Sequence, residues 1–256
     1  PHPRAVLQDG ARELRLLNSL EEKKELLRSL GVDRVEVLDF TRSFAALTAE
    51  QYLREILRDR YGVTTLLMGY DNRLGSDRLT ADTLKPIAEG IGMELKELLP
   101  LSFRPSEASG EISSTQIRTA LENGDIVSAA EMLGYGYSLK GVVVAGNRLG
   151  RTIGFPTANM KLYEPLKLVP GRGVYAVEAE VLGKKYRGMT NIGLRPTVGG
   201  SFTTIETHIL DFDEDIYGLP LRITFLRRLR DEVHFPSLEA LKDQLEKDRD
   251  CCREQK

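Results

Sequence analysis

Tryptophan is absent from the 256 residues, and cysteine occurs twice, as the adjacent pair Cys251-Cys252 near a charged C-terminus. Neighbouring cysteines cannot staple distant segments and lack metal-ligand spacing, so a disulfide framework and a structural zinc site are excluded as organising principles. The three histidines, His2, His208 and His234, are too scattered in sequence to suggest a metal cluster. No apolar run approaches the roughly 18 residues of a membrane span. Pro1 to Gly10 lacks the apolar core of a signal peptide. Neither sign of charge dominates: 36 Lys and Arg stand against 38 Asp and Glu, for a net −2. That balance argues against nucleic acid or a membrane surface as partner. Internal repeats and low-complexity segments are also missing. A reducing cytoplasm is the default location, small molecules are the expected partners, and self-association stays open. The opening Pro1-His2-Pro3, with no initiator methionine, reads as a chain entered midway.

The length suits one large or two modest domains, and 41% apolar residues suffice for a core. Residues 1–135 read as an α/β domain. Ser19 and Glu22 form a capping box, Leu26, Leu27 and Leu30 give the helix that follows an apolar face, and Gly31 sits where a terminating glycine belongs. Arg34 to Phe40 is expected to be a strand. Thr48 and Gln51 open a second helix, Thr64 to Met68 a strand, Ala81 to Gly92 a third helix, and Met93 to Leu99 another strand. Alternation of strands and helices implies βαβ units and a parallel sheet, with ligands beyond the carboxyl ends of the strands. Two loops fall there: Gly69 to Arg73, which includes Asp71, and Glu111 to Thr115. In the second, Ser113, Ser114 and Thr115 begin a helix carrying Arg118, an arrangement that binds anions; plain N-capping explains the hydroxyls equally well.

After Tyr135 to Lys140 the periodicity changes. In residues 136–256, short alternating segments at Leu139–Ala145, Val174–Leu182, Lys185–Ile192, Thr203–Leu210 and Leu221–Phe225 are punctuated by Gly and Pro, which implies a closed β-barrel. Pro236 and Ser237 start a final helix with Leu238, Leu241 and Leu245 on one stripe, and 248–256 reads as a solvated charged tail.

One stretch organises this half: Gly146-Asn147-Arg148-Leu149-Gly150-Arg151-Thr152-Ile153-Gly154-Phe155-Pro156-Thr157-Ala158-Asn159. Gly146, Gly150 and Gly154 allow close backbone approach to a phosphate, and successive N–H groups can cradle an anion. Arg148 adds a cation. Thr157 and Asn159 offer oxygens suited to a hydrated Mg²⁺ beside substrate phosphates. A turn-rich connection would show the same glycines. In Thr203–Leu210, Ile205, Thr207 and Ile209 share one face, while Glu206, His208 and Leu210 share the other. A glutamate there is costly to bury unless paired, and burial raises its pKa toward that of a general base; a rim position in solvent is the alternative. His208 reads as structural. Asn191 to Thr197 is expected to be a loop, with Arg195 a phosphate contact or a solvated turn residue.

Gly-Phe-Pro-Thr-Ala-Asn at 154–159 resembles the nucleotide loop of riboflavin kinases. So do, in order, Gly171 to Ala176, Asn191 to Thr197, Ile205 to Leu210, Asp215 to Gly218 and Phe225 to Arg230. The first half, with Ile112-Ser113-Ser114-Thr115-Gln116-Ile117-Arg118, resembles the N-terminal module of the bacterial bifunctional riboflavin kinase/FMN adenylyltransferase family. The resemblance implies a Rossmann-like nucleotidyltransferase α/β domain, incomplete at its start, and a Greek-key kinase barrel closed by a C-terminal helix. It implies ATP and Mg²⁺ as requirements, with riboflavin, FMN and FAD as substrates or products. Thr157 and Asn159 would hold Mg²⁺ and the ATP phosphates, and Glu206 would take the riboflavin 5′-hydroxyl proton. His2, Asp71, Ser113, Ser114, Thr115 and Arg118 would serve a second ATP and FMN. The family's Gly-x-Phe-Asp-Gly-x-His-x-Gly-His stretch is absent from these residues, which as they stand are not expected to make FAD. A flavin- or nucleotide-binding module without turnover is the alternative function.

Overall fold

A computed structural model describes residues 14–99, 102–103, 110–146, 149–197 and 200–253. Among them the chain divides into two compact units, Leu14 with Lys24–Ile112 and Arg15–Lys23 with Ser113 onward.

Helix α1 (Leu20–Ser29) begins at the expected capping box: the Glu22 N–H donates to Ser19 Oγ at 3.2 Å and the Ser19 N–H to the Glu22 carboxylate at 2.8 Å. Gly31 follows it at φ +84°. The strand expected at Arg34–Phe40 is not formed. A strand needs a ladder partner, and among the described residues none lies beside it; Val37 is exposed. Helix α2 (Arg42–Ala45) is capped by Thr41, and α3 (Ala49–Gln51) by the Thr48/Gln51 box. The helical path then continues as π-helix over Tyr52–Arg60. Strand β1 (Thr65–Gly69), helix α4 (Ala81–Gly90) and strand β2 (Glu94–Leu98) form a βαβ unit, with Thr65 opposite Glu94 and Gly69 opposite Leu98 in parallel register. Leu53, Met68, Leu84, Ala88 and Leu95 make its core. A short antiparallel pair follows, β3 (Ser102–Phe103) with β4 (Gly110–Glu111).

Helices α5 (Ser114–Glu122) and α6 (Ile126–Leu133) cluster with the second unit, although the sequence boundary was expected after 135. The reason is close backbone packing: the Gly171 N–H donates to Leu121 O at 2.8 Å, and a Cβ on Gly171 would lie 2.3 Å from Glu122 O. The segment Arg15–Lys23 docks here too. Leu16 forms a parallel bridge with Lys167. The Lys167 ammonium, 5% exposed, reaches Glu22 and Leu17 O, each at 2.6 Å, over the face of Tyr137. Burial pulls the Lys167 pKa down, and Glu22 opposes that shift.

The barrel is built from β5 (Ser138–Val144), β6 (Ala158–Leu162), β7 (Gly173–Val181), β8 (Lys184–Thr197), β9 (Gly200–Ile209) and β10 (Pro220–Arg230). It closes in the order β10-β5-β6-β9-β8-β7, every pair antiparallel. The run β10-β7-β8-β9 is a Greek key, the fourth strand returning beside the first. Two expected loops are strands instead. Ala158 and Asn159 begin β6, and Asn191–Thr197 ends β8, because both find antiparallel partners on β9.

The charged tail expected from 248 is also corrected. Helix α7 (Leu149–Thr152) is a single turn in the glycine loop, whereas α8 (Leu238–Arg253) runs through Asp248 and Cys252. Both lie on the Leu238/Leu241/Leu245 stripe at spacings of three and four, and both are buried. Cys252 joins Phe155, Ala176, Met189 and Leu210 in a second core outside the barrel. Burial there pushes its thiol pKa up to about 11.

Candidate functional site

The barrel's register assembles a polar row on its outer face. Asn159 on β6 is paired with Glu206 on β9, and Glu206 with Asn191 on β8. Residues directly opposite on neighbouring strands project from the same face, so the carboxylate stands between two carboxamides. Inward, Ile205 and Ile209 pack, and Thr207 meets Thr190 Oγ1 at 2.8 Å. The expected division of faces therefore holds. Glu206 and His208 are half-buried, while Leu210 is covered by the second core.

The three loop glycines have three separate reasons. A Cβ on Gly146 would lie 2.1 Å from Asn159 Nδ2, so its absence makes room for that carboxamide. A Cβ on Gly150 would lie 2.1 Å from Phe155 O, and the Phe155 N–H donates back to Gly150 O at 2.8 Å. Gly154 has φ +84°, the left-handed conformation that side chains resist. The three glycines thus fold the chain tightly where it delivers Thr157 to the start of β6.

His208 fastens this loop. Its Nδ1 lies 2.8 Å from Pro156 O. A carbonyl can only accept, so Nδ1 carries the hydrogen. The ring also meets Phe155 edge-to-face at 5.1 Å. Burial holds the His208 pKa below its ordinary value, against the Pro156 bond, which favours protonation. The structural reading of His208 fits this geometry.

Two cavities flank Thr157, which lines both. The smaller, about 250 Å³, adds Arg151 and the loop Asp213 to Tyr217. The larger, about 580 Å³, is walled by Phe155, Phe235, Leu238, Leu241 and Leu245, with Glu206, Asn191 and Arg230 as polar points. Gly150, Thr157 and Glu206 therefore meet at one cavity, and Asn159 lies beside Glu206 in the ladder. Arg148 lies outside the described residues, as does the side chain of Arg195 at the end of β8.

The other expected residues are distributed between the units. Asp71 is exposed just after β1 in the first. Ser113 caps α5 in the second, accepting from Gln116 N at 3.3 Å, with Ser114 and Thr115 exposed in the first turn. Arg118 donates from Nε to Arg15 O at 2.8 Å. His2 lies outside the described residues.

Asn191, Arg230 and Phe235 line the larger cavity, and Asp248 pairs with Arg230; none of the four stood out individually in the sequence. The signal for Asp248 was present: an acid on an apolar helical stripe must be paired. Asn191 stood in the sequence only as the start of the Asn191–Thr197 stretch; its place beside Glu206 gave no local signal, because that neighbour comes from another strand. Among the described residues no group of three or more His, Cys, Asp or Glu could hold a metal, and no helix is long and apolar enough to cross a membrane.

With this geometry in place, two family models match the chain: riboflavin kinase over residues 133–256 and FAD synthetase over residues 1–116. A bifunctional riboflavin kinase/FMN adenylyltransferase of Escherichia coli strain K12 is 39% identical over 239 residues, covering 93% of this chain and 75% of that protein. A protein of the same description from Bacillus subtilis strain 168 is 36% identical over 254 residues, covering 97% and 78%. A solved structure described as a macrolide-efflux protein from Streptococcus pneumoniae matches with a TM-score of 0.90 at 34% identity, over 99% of this chain and 81% of that one.

Proposed function

Since the chain belongs to the bifunctional riboflavin kinase/FMN adenylyltransferase family, we propose that its barrel transfers the ATP γ-phosphoryl group to riboflavin between the two cavities that meet at Thr157. The larger cavity, with its apolar and aromatic walls, suits a flat isoalloxazine. The smaller, with Arg151 at its rim, suits the nucleotide. The observation that carries this reading is Thr157 lining both cavities while Glu206 lines the flavin side. Phosphoryl transfer needs positioning, charge stabilisation and one group to orient the nucleophile. Glu206 takes the proton of the ribityl 5′-hydroxyl as its oxygen bonds the γ-phosphorus. The bond from that phosphorus to the ADP oxygen breaks, and ADP leaves.

Mg²⁺ fits the donor set. Thr157 and Asn159 offer a hydroxyl and a carboxamide oxygen two residues apart, and Gly146 leaves room for the carboxamide. Mg²⁺ keeps several waters and takes few protein ligands beside substrate phosphates. When bound it would neutralise charge on the transferring phosphoryl group. Gly146, Gly150 and Gly154 shape the loop that places Thr157; Arg148 is assigned to ATP phosphate contacts and Arg195 to a flavin or phosphate contact.

For FMN adenylylation, the family's other activity, Asp71, His2, Ser113, Ser114, Thr115 and Arg118 are assigned to ATP and FMN. The α5 N-terminus, where the Gln116 N–H is already capped by Ser113, would present its remaining first-turn N–H groups and the Ser114 and Thr115 hydroxyls to triphosphate oxygens. The FMN phosphate attacks the α-phosphorus and pyrophosphate leaves. Incubation of the protein with riboflavin, ATP and Mg²⁺, with products resolved by chromatography, tests the kinase. FMN and ADP in equal amounts are expected; folded protein that binds riboflavin and yields no FMN refutes the reading.

A further inference from the structure

An arginine in the wall of the larger cavity belongs to a largely buried ion pair that the kinase chemistry above does not use. Arg230, at the end of β10, lines the cavity. Its Nε lies 2.9 Å from Asp248 Oδ2 and its Nη2 lies 2.8 Å from the same oxygen. Nη1 donates to Asp231 O at 3.0 Å, and the guanidinium sits over Phe235 with 5.5 Å to the ring centroid. The Asp248 side chain is 5% exposed and also accepts from Gln244 Nε2 at 2.9 Å. The guanidinium is thus held from three directions.

A buried pair of this kind adds little net stability, because desolvation offsets the attraction; apolar replacements of similar volume often fold as well. The position of this pair at a cavity wall points to orientation. A guanidinium has five N–H donors. One faces Asp248 from Nε, one from Nη2, and one faces Asp231 O, which leaves two on the Nη atoms.

We propose that Arg230, tethered by Asp248, recognises the flavin by presenting its remaining N–H donors to an acceptor edge of the isoalloxazine, with Asp248 acting as a positioning residue. The proposal rests on reading the larger cavity as the flavin side. A fixed planar donor fork favours a ligand with carbonyl and ring-nitrogen acceptors over an apolar ring of the same size. Neither residue handles the phosphoryl group.

The test uses the full chain and three variants: Arg230→Met with Asp248→Leu, Asp248→Asn alone, and Arg230→Lys alone. Thermal melts establish folding. Riboflavin Kd comes from quenching of flavin fluorescence without ATP, and KM and kcat come from FMN formation. In the double variant, riboflavin Kd and KM are expected to rise at least tenfold, with kcat and the KM for MgATP within threefold of wild type. Asp248→Asn and Arg230→Lys are expected to fall between. A riboflavin Kd within twofold of wild type in a folded double variant overturns the proposal. So does a loss confined to kcat. If the double variant does not fold, Asp248→Asn and Arg230→Lys decide on the same readouts. Wild-type protein that binds flavin but makes no FMN refutes the kinase reading instead, and the binding comparison still tests the tether.

Discussion

Replacing Gly146 by alanine separates the fold from the chemistry. Its φ is not in the left-handed region, so alanine's backbone is tolerated. The new methyl would lie 2.1 Å from Asn159 Nδ2 and 2.5 Å from Asn159 Cγ, so the carboxamide must leave its place. That carboxamide ends a flexible side chain, and a rotamer change of this kind costs about 1 kcal/mol. Losing a contact to a charged group costs roughly 1.5–3 kcal/mol, which is about ten- to a hundredfold in kcat/KM. Gly146→Ala should therefore melt within a few degrees of wild type, require more Mg²⁺ for half-maximal rate, and lose about ten- to a hundredfold in kcat/KM for ATP. Gly150→Ala is the contrast: its methyl would meet the Phe155 carbonyl at 2.1 Å, and backbone cannot swing aside. It should lose stability and activity together. The assay is FMN formation against Mg²⁺ concentration, with a thermal melt of each variant. Unchanged Mg²⁺ dependence and kcat/KM in Gly146→Ala would refute the role given to Asn159.

Three further outcomes are expected. Glu206→Gln keeps shape and should lower kcat by about 10²–10⁴-fold, the usual contribution of a general base, while nucleotide binding measured by calorimetry stays near wild type. His208 has a folded pKa below its ordinary 6.5, so the unfolded chain binds the proton first as pH falls. Its contribution is therefore present above about pH 6.5 and is lost as pH drops from there toward the folded pKa. Denaturant midpoints measured from pH 7.5 to 5 should show this loss, and His208→Gln should flatten it; equal slopes would remove His208 as the loop's fastener. Glu22→Gln leaves the Lys167 ammonium buried without its charge partner and should cost about 3–5 kcal/mol, read from urea unfolding of the barrel.

The helix starts were legible because a cap is a contact between residues three apart. Ser19/Glu22, Thr48/Gln51 and Ser113/Gln116 all form as their spacing indicates. The faces of β9 were legible for the same reason, since alternation is a property of one strand. Charge composition misled at 248–253, where the stripe of α8 continued beneath a polar sequence. The strand expected at Arg34–Phe40 had suitable residues and no ladder.

The amino-acid order thus determined the caps, the barrel periodicity and the loop that carries Thr157. It could not specify which strands stand beside β9, and so could not place Asn159 and Asn191 on either side of Glu206. Nor could it bring Asp248 to Arg230, 18 residues away, or Glu22 to Lys167, 145 residues away. Those contacts depend on register and on burial of charge. Both are set when the barrel closes and water leaves its surroundings, because only then does an unpaired charge become costly enough to select its partner.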